Sequence, residues 1–230
     1  MPRDATATRN LLIDAAEQVF AEQGIGQSNL RDIHRLAGQA NKSALHYHFG
    51  SRDRLLDAVL ERHHAHVDPL RAALVARLRD TSGPPDIPAI LDALVAPLAA
   101  QLSTPSGRNR IRIVDRMRHD RGLPAATLIP DDAAPELHWL FARLNEHLTH
   151  LPPAVREFRV LSWSAMTTGA LADWARSGDT SAPLGFTTDE LVVNLVAIGT
   201  AALTAPAPGA APPHPANTKT TPASRARKSG

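Results

Sequence analysis

The sequence predicts an all-α protein, and three observations carry that prediction. Apolar residues recur three and four positions apart along most of the chain, strand-like alternation is hard to find, and aromatic residues are sparse at 4%. Ala, Leu, Arg and Glu dominate the periodic segments, and all four are good helix formers. With 230 residues, 43% hydrophobic and 21% charged, the chain has ordinary globular composition and enough length for one or two domains with a real core.

The first helix is expected from about Thr8 to Gln23. Leu12, Ala15, Ala16, Val19 and Phe20 form one stripe, and Gly24 is a left-handed stop. A second helix lies in "SNLRDIHRLAG", capped by Ser28 or Asn29, with Leu30, Ile33 and Ala37 inward and Gly38 at its end. Asn41 caps a short third helix, and Gly50-Ser51 restart the chain into a long fourth, to about Arg79. "DTSGPPDIP" (80–88) breaks the pattern and is the best domain boundary by composition. Further helices are expected near 88–103, 108–121, 135–150, 153–177 and 188–204, with an irregular connection at 121–135. From Ala205 onward the chain is rich in Pro, Ala and Thr and too poor in large apolar residues to order itself, so 205–230 is expected to be a disordered basic tail.

The stretch "GQANKSALHYHFGSRDRLL" (38–56) bears most on function. An isolated helix below ~12–15 residues is marginal in water, so tertiary packing must hold this one. Leu45 and Phe49, four apart, are expected to face Ile33, Ala37 and Leu55 or Leu56, each burial worth roughly 1.5–3 kcal/mol. Lys42, Ser43, His46 and Tyr47 then project from the opposite side. Two short helices joined by a Gly-containing turn, the second exposing donors and an aromatic ring, make a helix-turn-helix whose second helix can enter a DNA major groove.

Net charge neither demands nor forbids that reading. Lys+Arg 25 against Asp+Glu 23 leaves a formal charge of +2, so any nucleic-acid case rests on where charge sits. The absence of Cys excludes disulfides and thiolate metal sites and fits a reducing cytoplasm. The N-terminus carries acids and lacks an apolar core, so no signal peptide is expected, and no apolar run suffices to span a bilayer. A cytoplasmic protein without membrane contact is the expectation.

The run "TRNLLIDAAEQVFAEQGIGQSNLRDIHRLAG…ALHYHFGSRDRLLDAVL" resembles the DNA-binding region of TetR/AcrR-type transcriptional regulators. The shared elements are "AAxxxFxxxG", a polar pair before "xxRDI", "AG", "YHF" and "SRDxLL", over roughly the first sixty residues. The resemblance implies an N-terminal three-helix helix-turn-helix domain (1–52) and a helical effector-binding and dimerisation domain (53–204), connected by the helix from about 51 to 79. By the same resemblance, Arg31, Lys42, Ser43, Ala44, His46 and Tyr47 read bases, and Asn29, His48 and Arg52 grip phosphates. A capped helix N-terminus beside an Arg does favour an anion. The plainer alternatives are that Tyr47 and His48 are core or surface filler and that Lys42 and Arg52 are solvated charges.

Beyond the motif, "GRNRIRIVDRMRHDR" (107–121) is read first as a solvated helix. The sharper reading places Arg110, Arg112, Asp115, Arg116 and His119 on an effector cavity, with Trp139, Phe141, Trp163 and Met166 as its apolar wall. The last two helices carry broad apolar faces and the small residues Gly169, Ala170, Ala172, Gly199 and Ala202. Two such helices from each of two subunits would form a four-helix bundle, predicting a homodimer through 153–177 and 188–204 that faces a pseudo-palindromic double-stranded DNA operator. The expected function is a repressor released from its operator by an unidentified small molecule, with no catalytic residue, metal or cofactor. The rival is a helical metal-assisted hydrolase using His63, His64, His66, His147 and His150. It lacks a recognisable nucleophile elbow, P-loop or metal-ligand spacing. A scaffold that keeps the fold without binding DNA is a third possibility.

Overall fold

The computed structural model describes residues 5–38, 43–121, 134–177, 185 and 187–207. Among the described residues there are nine α-helices and no strand. They are α1 (Ala5–Gln23), α2 (Leu30–Leu36), α3 (Ser43–Phe49), α4 (Arg52–Asp80), α5 (Ile87–Ala99), α6 (Pro105–Arg121), α7 (Pro135–His147), α8 (Pro153–Ser177) and α9 (Thr188–Thr204), with a 3-10 turn at Ala100–Ser103.

Helices α1 to α3 and the start of α4 close around one core. The stripe of α1 is buried as its periodicity requires, and Gly24 (φ 87°) ends the helix by donating from its N–H to Phe20 O. Asn29 caps α2, its side chain accepting from the Arg31 N–H. Ile33, Ala37, Leu45, Phe49, Leu55 and Leu56 are all buried together, so the three short or starting helices hold one another. Ser51 caps α4. Its 29 residues extend about 43 Å at ~1.5 Å per residue. Leu55, Leu56, Ala58 and Val59 lie in this first core, while Val75 lies in the second.

The second core gathers α5, α7, α8, α9 and part of α6 around α5, which buries residues on nearly every side and so runs through the middle. The breaker at 80–88 is the turn between α4 and α5, with Asp86 capping the latter. The two cores are not separated there or at 52/53. α4 runs through both, and Ile113 and Met117 of α6 are buried in the first while Ile111 is buried in the second. α6 also starts three residues before the expected 108, because Pro105 is preorganised for the first helical turn and Thr104 before it is extended. The expected 88–103 helix ends at Ala99 and tightens into the 3-10 turn, and α7 stops at His147 rather than 150.

Gly199 allows α9 to pass close over α8. A Cβ there would overlap Trp163 Nε1 and stand 2.7 Å from Trp163 Cδ1 and 2.9 Å from Leu91 Cδ1. Gly199 and Ala172 are thus buried within this chain, and the free apolar face lies elsewhere on the two helices. It carries Phe158, Leu161 and Met166 of α8 with Val193 and Ile198 of α9.

Candidate nucleic-acid interface

Helix α3 is held by Leu45 and Phe49, which are 4% and 5% exposed, while Tyr47 between them is 82% exposed. His46 is exposed beside it, and its Nδ1 lies 3.0 Å from the Gly50 carbonyl oxygen. A carbonyl only accepts, so Nδ1 carries the proton and a neutral His46 presents Nε2 outward as an acceptor. Ala44 is half-buried and packs against the first core, so only part of it remains on the wet side. The His48 ring stands edge-on to Tyr47, centroids 5.1 Å apart, and is half-buried. Ser43 opens α3, but its side chain, like all of Lys42 and Asn41, lies outside the described residues.

Of the expected phosphate contacts, Asn29 and Arg52 have their side chains engaged locally. Asn29 Oδ1 accepts from the Arg31 N–H at 2.9 Å. Arg52 donates from Nη1 to Gly26 O at 3.1 Å and from Nη2 to Ser28 O at 2.8 Å, tying the start of α4 to the loop before α2. Arg31 is exposed on α2. Asp32 fastens α2 to α1: hydrogen bonds from Gln23 and then Arg35 hold its carboxyl below the ordinary range. Two cations that the motif did not single out share a groove with His46, Tyr47 and His48. They are Arg9, whose guanidinium lies 5.2 Å from the Phe49 ring centroid, and Arg54. Arg9 comes from the start of α1, so only tertiary packing places it here.

A cavity of about 110 Å³ lies between α4, α5, α6, α7 and α8. Phe141 and Trp163 line it, whereas Arg110, Arg112, Asp115, Arg116, Trp139 and Met166 are not among its lining residues. Arg110 is buried against Glu17, 3.3 Å away, and also bonds Ser106 and Gln101. Arg116 donates to the Glu22 carbonyl at the end of α1, and Asp115 pairs with Arg118 and Arg176. Arg112 bonds Asn109 at 3.3 Å, and partial burial, then Arg116 and Arg176, push its pKa down. Trp139 is flanked by Arg79 and Arg143, Met166 is on the free face of α8, and the side chain of His119 lies outside the described residues. The physical reason is that the polar side of α6 meets α1, which supplies the Glu17 carboxylate and the Glu22 carbonyl, and α8, which supplies Arg176. The cavity's polar groups come instead from α4 and α8, namely His63, His64, Arg71, Ser164, Thr167 and Thr168. His63, Val67 and Arg71 recur every four residues, a stripe visible in the sequence.

Among the described residues no group of three or more His, Asp or Glu side chains could hold a metal. His147 Nε2 is 2.7 Å from Pro85 O, and His150 Nδ1 is 3.2 Å from His147 O. The metal-assisted hydrolase alternative therefore has no support.

Comparison with known proteins agrees with the helix-turn-helix geometry. Residues 12–59 match the model of the tetR family of bacterial regulatory proteins. The uncharacterised HTH-type transcriptional regulator TtgW of Pseudomonas putida is 35% identical over 102 residues, which are 44% of this chain and 72% of TtgW. The chain belongs to the tetR family. HTH-type transcriptional regulator TtgR of Pseudomonas putida is 36% identical over 70 residues, 30% of this chain and 33% of TtgR, so the match spans about a third of that relative's length. A solved TetR-family regulator from Streptomyces coelicolor A3 aligns with 89% of this tetR-family chain and 99% of its own, at a TM-score of 0.42 and 19% identity.

Proposed function

We propose that this chain is a sequence-specific DNA-binding transcriptional regulator, a homodimeric repressor released from its operator by a small-molecule effector. Residues 1–52 form the DNA-reading unit in this proposal, and 53–204 dimerise and receive the effector. The observation that carries the reading is the two-sided α3, with Leu45 and Phe49 locked in a core and Tyr47 and His46 exposed. His46, Tyr47 and, from the family pattern, Lys42, Ser43, Ala44 and Arg31 read bases; His48, Arg9 and Arg54 meet phosphates. Arg52 and Asn29 position the unit through the loop they hold.

The names of the relatives, TtgR and TtgW among them, are those of HTH-type transcriptional regulators and support the same function here. The exposed large apolar side chains of α8 and α9 support a dimer through these helices, because apolar surface left uncovered marks an association site. Two-fold symmetry then calls for a pseudo-palindromic operator with half-sites separated by whole helical turns. Among the described residues no helix is long and apolar enough to cross a membrane.

Selection of bound fragments from random DNA tests the proposal, followed by titration of the selected sequence. Tyr47→Ala should weaken specific binding by about 1–3 kcal/mol and leave the fold intact, since the ring is outside the core. Binding that shows no sequence preference, or that is indifferent to Tyr47→Ala and His46→Ala together, refutes the assignment.

A further inference from the structure

The cavity combines an apolar wall, including Leu60, Val67, Leu94, Leu98 and Phe141, with polar atoms that lack partners. Of its lining residues, His63 Nδ1, Arg71 Nε, Trp163 Nε1 and Thr167 Oγ1 are buried without a hydrogen bond. Buried polar atoms are normally bonded, and an orphan carries a real desolvation cost. Several on residues that line one void leave hydrogen-bonding capacity there for a ligand's polar group to use. Trp163 Nε1 is the exception, since it abuts Gly199.

The charges select the kind of group. Arg71 already donates from Nη1 to Asp68 at 2.9 Å, and Glu136 also acts on it, so its charge is answered by two acids and leaves little to attract a ligand carboxylate. A ligand cation would meet Arg71 itself. Burial, and then His64, push the His63 pKa down to about 3, so its ring is neutral and offers one donor and one acceptor. The Thr167 hydroxyl likewise does both. A ligand hydroxyl can pair with either tautomer of His63, whereas a carbonyl can pair with only one. The volume, about 110 Å³, is somewhat below the ~150 Å³ of a protein cavity known to take benzene.

We propose that this cavity binds a small neutral alcohol, with one ring or an equally compact apolar body against the leucines and its hydroxyl bonded to His63 and Thr167. That such a molecule acts as the effector rests on the regulator reading above; the binding itself does not.

Four probes of one shape test it by calorimetric or NMR titration of the full chain: cyclohexanol, methylcyclohexane, cyclohexanecarboxylate and cyclohexylammonium. Cyclohexanol should bind at least about fivefold more tightly than methylcyclohexane, since each of two neutral hydrogen bonds contributes about two- to twelvefold. Both charged probes should bind at least about tenfold more weakly than the alcohol. Thr167→Val, which keeps the shape, and His63→Leu each remove one of the two bonds, so each should narrow the gap between cyclohexanol and methylcyclohexane. Equal binding of alcohol and hydrocarbon, preference for a charged probe, no binding by any of the four, or an alcohol preference undiminished in both variants overturns the proposal. Operator titration with and without cyclohexanol is read separately: binding without loss of operator affinity counts against the effector role and leaves the ligand class standing.

Discussion

Gly199→Ala sets two sizeable effects against each other. In an ordinary helix interior, Ala is favoured over Gly by ~1 kcal/mol, so a substitution judged from sequence should stabilise α9. In the structure the new methyl would overlap Trp163 Nε1 and stand 2.9 Å from Leu91 Cδ1. Neither neighbour yields easily, since Trp163 is 4% exposed and Leu91 fully buried. Overpacking of this kind costs about 1–3 kcal/mol, and rigid partners favour the upper part of that range. Net destabilisation of about 1–2 kcal/mol is expected. Urea unfolding followed by circular dichroism at a fixed protein concentration measures it as a fall in midpoint at unchanged slope. Gly26→Ala is the control, because nothing lies within 4 Å of the Cβ it would add. A Gly199→Ala midpoint at or above that of the original chain would show that α8 and α9 are not packed as described.

Other expected outcomes follow from single contacts. Arg110→Met leaves Glu17, 1% exposed, with Arg62 at 3.4 Å and Ser106 as partners, and should cost about 3–5 kcal/mol in thermal or chemical unfolding. The double variant with Glu17→Met should recover much of that, and a double variant no better than the single one counts against the pairing. His63 has a folded pKa of about 3 against an ordinary 6.5, so it is neutral in the fold while the unfolded chain takes up a proton below 6.5. Its contribution is fully present above 6.5 and is lost as pH falls towards 3, at about 1.4 kcal/mol per pH unit. His63→Gln should flatten this part of the pH–stability curve, and identical curves for the two proteins would refute the buried neutral ring. Phe158→Asp, at a side chain 70% exposed, should convert the proposed dimer to monomer in sedimentation with helicity unchanged; a persistent dimer places the interface elsewhere.

The first sixty residues are legible because their pattern is local. The spacing of Leu12, Ala15, Ala16, Val19 and Phe20, the breaks at Gly24, Gly38 and Gly50, and the four-residue step from Leu45 to Phe49 each predict a helix face or end that the structure contains. The lining of the cavity is less legible. Arg-rich α6 reads as a polar wall, yet the destination of each Arg depends on Glu17, Glu22 and Asp115, and two of these lie some ninety residues away in the chain. The stripe of His63, Val67 and Arg71 was visible, but solvent and a cavity present the same pattern to a helix.

By itself the sequence determined the helical class, the two-sided third helix and the family motif, because periodicity, capping and turn chemistry act within a few residues. Tertiary structure decided which polar side chains pair and which remain orphaned around a void. It also put Arg9 beside His46 and carried Ile113 and Met117 of α6 into the first core. These depend on which surfaces meet, and burial costs and close packing settle that only when the whole chain is folded.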